Sequence, residues 1–155
     1  MENINVNVYF GDFEPSEPPK TFPGKVKFLC SGRICSNKWT SVNGTVQFQY
    51  SLNKYNKEVG VKVFMFSQKC KKCEEFAQIV LYQEENLRLV EQFTDYIQGR
   101  VYGKIRKRSE DKKRPKAASN TMSDHISSLC GACQKGCCSY SSKSNNWRGQ
   151  RGRFY

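Results

Sequence analysis

The sequence predicts an α+β fold in which a small antiparallel sheet carries one packed helix, followed by a disordered basic C-terminal region. Runs with apolar residues at every second position lead toward cysteine pairs, and a later stretch repeats its apolar residues with the period of a helix. The basic charge is concentrated in the last third of the chain. With 37% hydrophobic residues among 155, the chain builds only a modest core, so additional stabilisation is expected.

The chain opens with a predicted half-buried strand. Apolar and polar residues alternate between Asn3 and Phe10, which is the period of a strand with one buried face. The acidic, proline-rich segment 14–19 ends this strand and is typical of a linker. Residues 1–24 are therefore expected to precede the main domain, which we place at residues 25–138.

Two cysteine pairs are predicted to share one metal ion. Cys30 and Cys35 follow a short apolar run, and Cys70 and Cys73 form a CxxC pair after another. Two thiolates on a tight turn grip a metal from two sides and leave two positions for a second pair. The chain opens polar and acidic, without an apolar signal segment, so a reducing compartment is expected. There, cysteine pairs favour zinc over the alternative of disulfide or redox roles.

The strands between these pairs are predicted to form an antiparallel hairpin. Residues 45–50 alternate, residues 53–57 are polar and turn-like, and residues 59–66 are rich in β-branched and aromatic residues. A hairpin returns the second cysteine pair to the first, which gives a zinc-ribbon-like sheet. Trp39 is expected to pack over the thiolates and exclude water, or to be an ordinary core residue, and the two roles are compatible.

The segment 84–97 is predicted to be the one packed helix. Its acidic start suits the helix dipole, and Gly99 is a plausible C-cap. The residues that share one face, and are expected to pack on the sheet, are Leu89, Val90, Phe93, Tyr96 and Ile97.

A third cluster supplies a second candidate metal site. His125, Cys130 and Cys133, with one of Cys137 or Cys138, make a complete tetrahedral ligand set. The alternative is that the CxxC pair of this cluster shares a metal with an upstream pair. Two zinc ions are the expectation from the separate sets.

The basic charge marks a candidate anionic contact. Residues 1–99 carry 12 Lys and Arg against 11 Asp and Glu, whereas residues 100–155 carry 14 against 3. The basic linker, residues 100–119, is either solvated and mobile or contacts phosphates or anionic lipids. The Ser/Arg/Gly-rich tail, residues 139–155, is either disordered or stacks on nucleic-acid bases. The candidate contact residues are Arg106, Lys107, Arg108, Lys112, Lys113, Arg114, Arg148, Arg151 and Arg153.

Four segments together resemble the 3CxxC-type zinc-finger domain, most closely the receptor-transporting protein family. They read FLCSGRICSNKWTS, VKVFMFSQKCKKC, EENLRLVEQFTDYIQGRVYG and HISSLCGACQKGCC. The resemblance runs from about Phe28 to Cys138. It departs from the family at the first pair, where four residues instead of two separate the cysteines. The metal ligands it implies are Cys35, Cys70, Cys73, Cys130 and Cys133, and Cys138 and His125 fall where the family has a cysteine and a histidine; Cys30 completes the first set.

The resemblance implies an adaptor that helps membrane receptors reach the cell surface. Olfactory, taste and other G-protein-coupled receptors are the implied clients. The alternative, also known among relatives, is a zinc-dependent RNA-binding protein with an antiviral or translational-control role.

A cytoplasmic protein, peripheral to membranes, is expected. No run approaches the roughly 20 apolar residues that a membrane-spanning helix needs. No enzyme is expected either, because there is no spare histidine for general base work and no phosphate-binding glycine loop. A zinc ion with four protein ligands also leaves no position for water.

Overall fold

The computed structural model describes residues 4–103 and 125–138. This part of the chain forms one sheet, one long helix and two short helical turns. The strands are β1 (Asn5–Val8), β2 (Lys20–Cys30), β3 (Lys38–Asn53), β4 (Glu58–Met65) and β5 (Ala77–Leu81). The helices are α1 (Gln83–Tyr102), a 3-10 turn (Ser127–Leu129) and α2 (Gly131–Gln134).

The five strands lie in the order β1-β4-β3-β2-β5. The pairs β2–β3, β3–β4 and β2–β5 are antiparallel, and β3–β4 is the predicted hairpin. The edge strand β1 instead runs parallel to β4, so the sheet is mixed. Pairing in β2 already begins at Lys20, within the segment predicted to precede the domain.

Strand β1 forms within the predicted segment, but it is exposed along its whole length, so the prediction that one face is buried is wrong. All four of its residues are exposed, including Val6 and Val8. The strand is held by main-chain bonds at its ends, where Asn5 N–H donates to the Lys57 carbonyl and Tyr9 N–H donates to the Val61 carbonyl. Alternation of apolar and polar residues predicts a strand, but it does not show which strands of the sheet the helix packs on.

The predicted hairpin is formed by β3 and β4, and its turn is built by one asparagine. The Asn53 side-chain oxygen accepts hydrogen bonds from the backbone N–H groups of Tyr55 and Asn56. Lys57 completes the turn with a φ of 53°. Asparagine favours such turns because its short side chain bonds to the backbone two or three residues onward.

Strand β5 was not predicted from the sequence. It pairs with β2 from Ala77↔Cys30 to Leu81↔Val26. The strand has only five residues and lies between a cysteine pair and a helix, so its sequence offers few repeats from which to recognise a period. Because β5 pairs with β2 up to Cys30, it holds the end of β2 that carries this cysteine.

Helix α1 packs on β3 and β4. It buries Leu89, Phe93 and Ile97, which are spaced four residues apart. The Phe93 ring stacks on Phe48 at 4.5 Å and meets Tyr50 edge-on at 5.6 Å. The remaining buried members of this core are Val46, Val59 and Val61. The helix prediction is confirmed for this face, except that Val90 is 57% exposed and lies outside it.

Helix α1 continues past the predicted C-cap. Gly99 lies inside the helix, and the helix ends at Tyr102 with Gly103 in the left-handed conformation at a φ of 62°. At the other end, the Glu85 carboxylate accepts a hydrogen bond from Lys25 N–H at 2.8 Å and forms an ion pair with Arg88. No helix in the described part of the chain combines the length and the apolar character needed to cross a bilayer.

Candidate metal centres

The first centre joins the cysteine pair at the end of β2 to the pair in the loop between β4 and β5. The sulfur atoms of Cys30, Cys35, Cys70 and Cys73 all lie within 4.8 Å of one another. Cys30 Sγ lies 3.3 Å from Cys73 Sγ, and Cys35 Sγ lies 3.8 Å from Cys70 Sγ. Four zinc–sulfur bonds of about 2.3 Å in a tetrahedron place sulfur atoms about 3.8 Å apart. These sulfur atoms therefore fit a zinc ion, and they are too far apart for disulfides, which need about 2.05 Å.

The first metal loop, residues 30–35, closes around a glycine. Gly32 N–H donates to Cys30 Sγ at 3.3 Å, and the Gly32 carbonyl accepts from Cys35 N–H at 3.1 Å. A Cβ atom on Gly32 would lie 3.0 Å from Cys73 Sγ. The two residues beyond a normal CxxC spacing are thus accommodated by a turn in which Gly32 lies against the metal ligands.

The second metal loop, residues 70–73, is held by main-chain bonds that converge on Cys70. Cys70 N–H donates to the Glu75 carbonyl, and the Cys70 carbonyl accepts from Glu74 N–H, both at 2.9 Å. Its sulfur accepts from Lys72 N–H at 3.4 Å and from Asn37 Nδ2 at 3.3 Å. Burial opposes ionisation of Cys70, but these donors outweigh it and lower its pKa to about 6.

The other thiols show why this cluster needs a cation. The Gly32 N–H group favours the thiolate of Cys30, yet desolvation and the neighbouring thiols outweigh it and raise the Cys30 pKa to about 12. The pKa of Cys73 is also raised: the Glu75 N–H and the Cys30 thiol favour its thiolate, but burial and the thiols of Cys35 and Cys70 prevail. Four adjacent thiols cannot all ionise beside one another unless a positive ion is present. A divalent metal supplies that charge, so the donor set fits zinc chemically as well as geometrically.

The second centre is built entirely from residues 125–138. His125 Nε2 lies 3.2 Å from Cys133 Sγ and 3.7 Å from Cys138 Sγ, and Cys130 Sγ lies 4.0 Å from Cys138 Sγ. Tetrahedral zinc with one nitrogen ligand places nitrogen and sulfur about 3.6 Å apart. Burial lowers the pKa of His125 and so favours the neutral imidazole that binds metal. Burial likewise raises the pKa of Cys133 to about 12, which again calls for a cation.

The structure separates the two adjacent cysteines that the sequence left as alternatives. Cys138 Sγ belongs to the second cluster, whereas Cys137 Sγ donates toward the Ala132 carbonyl at 3.6 Å. The one-turn helix α2 places Cys130 and Cys133 on the same side of the chain. Neither of these two thiols is shared with the first cluster, which contains its own four ligands.

Trp39 supports the first centre from a distance. Its ring stacks on Phe28 at 5.2 Å, and its Nε1 donates to the Gln68 side-chain oxygen at 3.0 Å. Trp39 is therefore a partly buried residue that packs against the core at Phe28 and hydrogen-bonds the segment leading to Cys70. The Asn37 hydrogen bond to Cys70 was not expected, since the spacing of metal ligands gives no sign of it.

The basic residues singled out as anionic contacts lie outside the described residues. They are Arg106, Lys107, Arg108, Lys112, Lys113, Arg114, Arg148, Arg151 and Arg153.

Comparison with known proteins agrees with the two centres. Residues 24–136 match the family model of the 3CxxC zinc ribbon (Zn_ribbon_3CxxC), described as a zinc-binding domain. The chain matches no curated protein and no solved structure. The two clusters are consistent with two zinc ions, which confirms the number expected from the sequence. The chain therefore belongs to the 3CxxC zinc-ribbon family of zinc-binding domains.

Proposed function

We propose that this protein is a zinc-stabilised adaptor that binds membrane receptors and assists their transport to the cell surface. Chemosensory and other G-protein-coupled receptors are the proposed clients, as the resemblance to receptor-transporting proteins implies. The observation that carries the proposal is that each metal centre has four protein ligands. A zinc ion so enclosed holds a surface in shape and leaves no position for a reacting water. We infer a binding role and no enzymatic one.

The contact surface we propose lies on the first metal loop. Ile34 is 102% exposed there, between Arg33 and the ligand Cys35. Phe76 is half exposed just beyond the second loop, with Lys69 Nζ 5.2 Å from its ring centroid. Exposed apolar side chains beside cations on rigid loops suit an interface in which apolar anchors enter a partner and charges surround them.

A receptor-delivery experiment tests the proposal. The full-length protein is co-expressed with a chemosensory receptor, and receptor at the cell surface is counted by antibody labelling. Ile34→Asp is expected to reduce delivery severalfold while the purified variant keeps two zinc ions. The matched control is Leu87→Asp, since Leu87 is also exposed, at 69%, but lies on α1 away from the metal loops. Equal delivery by wild type and Ile34→Asp would contradict the proposed surface, and no gain from wild type would contradict the adaptor role.

RNA binding is the second candidate function. The observation that favours it is the charge of residues 100–155, where 14 Lys and Arg stand against 3 Asp and Glu. Titration of a single-stranded RNA at two salt concentrations tests it, because each phosphate contact releases counterions and steepens the salt dependence. Replacing Arg148, Arg151 and Arg153 by Gln should flatten that dependence. An affinity unaffected by salt would exclude this contact.

A further inference from the structure

A short segment of the chain touches both metal centres. We call Ser67–Cys70 the strap, since it leads out of β4 and ends in a ligand of the first centre. Lys69 N–H donates to the Leu129 carbonyl at 2.8 Å, and Gly131 N–H donates to the Ser67 carbonyl at 2.9 Å. Gln68 also forms an isolated antiparallel bridge with Cys130, a ligand of the second centre. The strap is thus hydrogen-bonded to residues 125–138, which contain the second centre and which we call the second metal segment.

The contact between the strap and the second metal segment is close as well as hydrogen-bonded. A Cβ atom on Gly131 would lie 2.7 Å from the Ser67 carbonyl oxygen, so only glycine allows this approach. Phe66, just before the strap, packs on the buried cluster of Cys130, Ala132 and Cys138. A displacement of residues 125–138 therefore removes the backbone partners of the strap and the packing of the adjacent Phe66.

The opposite side of the strap is fixed to the sheet. The Gln68 carbonyl accepts from Ala77 N–H at 2.9 Å, and the Gln68 side chain accepts from Trp39 at 3.0 Å. Ser67 Oγ donates to the Ala77 carbonyl at 2.6 Å. The strap is therefore held between β5 and the second metal segment, and its last residue, Cys70, is completely buried.

We propose that the strap couples the two zinc centres, so that zinc at either centre raises the affinity for zinc at the other. The second metal segment contains only a 3-10 turn and a four-residue helix, which do not persist without packing or metal. When the second metal segment unfolds, Ser67 and Lys69 of the strap lose their hydrogen-bond partners, and the position of Cys70 becomes less fixed. The coupling is reciprocal by thermodynamic necessity. It does not depend on the proposed function.

Ligand variants of the full-length protein measure the coupling. Cobalt(II), titrated and then displaced by zinc, distinguishes a four-thiolate site from a site with three thiolates and one imidazole by its absorption spectrum. In the double variant His125→Ala/Cys133→Ser, the affinity of the first centre is expected to fall about tenfold. In Cys73→Ser, the affinity of the second centre should fall by the same factor. An affinity at the first centre that is the same within about twofold in wild type and the double variant would overturn the proposal.

A glycine variant tests the strap itself, because it keeps all eight ligands. Gly131→Val should push the second metal segment away from Ser67, and adding the ligand changes His125→Ala/Cys133→Ser should then leave the first centre unaffected. The control is Gly11→Val, since a Cβ on Gly11 meets nothing within 4 Å and the coupling should persist. Persistence of the full coupling in Gly131→Val would show that the strap does not carry it.

Native mass spectrometry of the wild type tests the same proposal without any variant. With one zinc ion supplied per chain, two equal and independent sites leave about half of the chains with a single zinc. Coupling should deplete that species in favour of zinc-free and two-zinc chains. A one-zinc fraction below one half supports coupling whatever the relative affinities of the two sites, because unequal independent sites can only raise that fraction.

Discussion

Asn37 shows how a residue outside the ligand set tunes a metal centre. Its side-chain amide donates to Cys70 Sγ at 3.3 Å, which stabilises the thiolate that binds metal. We expect Asn37→Leu to lower zinc affinity at the first centre about tenfold, measured by competition with a chromophoric chelator. Asn56→Leu is the control, since Asn56 lies in the exposed turn between β3 and β4. Unchanged zinc affinity in Asn37→Leu would show that the hydrogen bond from Asn37 does not stabilise the thiolate of Cys70.

Apart from the two cysteine ligands, Gly32 is expected to be the residue of the first loop that tolerates substitution least. A Cβ there would lie 3.0 Å from Cys73 Sγ and 3.1 Å from Cys35 Cβ, closer than side-chain atoms normally approach. Gly32→Val should therefore separate the ligands and weaken zinc binding at the first centre about tenfold or more. The cobalt spectrum of the four-thiolate site provides the readout, and Gly11→Val, in which the added Cβ meets nothing within 4 Å, provides the reference. An unaltered spectrum would mean that the loop can move aside.

At the residue scale, the spacing of the cysteines predicts which of them share a metal ion, but it does not predict the residues that surround them. The two ligand sets expected from spacing are the two clusters found in the structure, because a pair of thiolates on one turn is a local property of the chain. The choice between Cys137 and Cys138 depends on which sulfur the turn after α2 directs inward, and adjacent identical residues carry no signal for that. Asn37 lies far from Cys70 in sequence, so their contact depends on the strand pairing.

The C-terminus of α1 offers a prediction about an element. Gly103 adopts a φ of 62°, where a Cβ atom is strained although it would meet nothing within 4 Å. Gly103→Ala should therefore lower the free energy of unfolding by about 1 kcal/mol, and Gly103→Asn by less, because asparagine tolerates the left-handed conformation better. Urea unfolding followed by circular dichroism measures both. Equal stability of Gly103→Ala and wild type would show that the helix end adjusts without strain.

The elements differ in how far the sequence reveals them. The β3–β4 hairpin and α1 are long and strongly periodic, and their types were predicted correctly. The helix end was placed too early because Gly99 resembles a cap, whereas only Gly103 has the left-handed backbone. The pairing of β1 is determined by which sheet edge is free for it, and that depends on the complete strand order. No periodicity in a four-residue strand carries this information.

At the scale of the molecule, two strands connect the metal centres to the helix-covered core. Strand β2 ends in the ligand Cys30 and pairs with β3 along most of its length. Strand β3 then continues under α1, where Val46, Phe48 and Tyr50 are buried. The metal end and the helical core therefore share their central strands, and neither is expected to unfold without disturbing the other.

Removal of metal tests this shared framework. Zinc binding free energy is largely folding free energy in a domain whose own core is modest, and an isolated helix of this length is marginal in water. We expect a strong chelator, in reducing buffer, to abolish the helical circular dichroism and shift the Trp39 fluorescence at the same chelator concentration. The Trp147→Phe background makes Trp39 the sole tryptophan, since the chain has 2. Adding zinc back should restore both signals together. If the helical signal survives while Trp39 fluorescence shifts, α1 and the strands beneath it form a core that folds without metal. Loss of structure at the metal end would then not unfold the helix-covered core, although the two share strands.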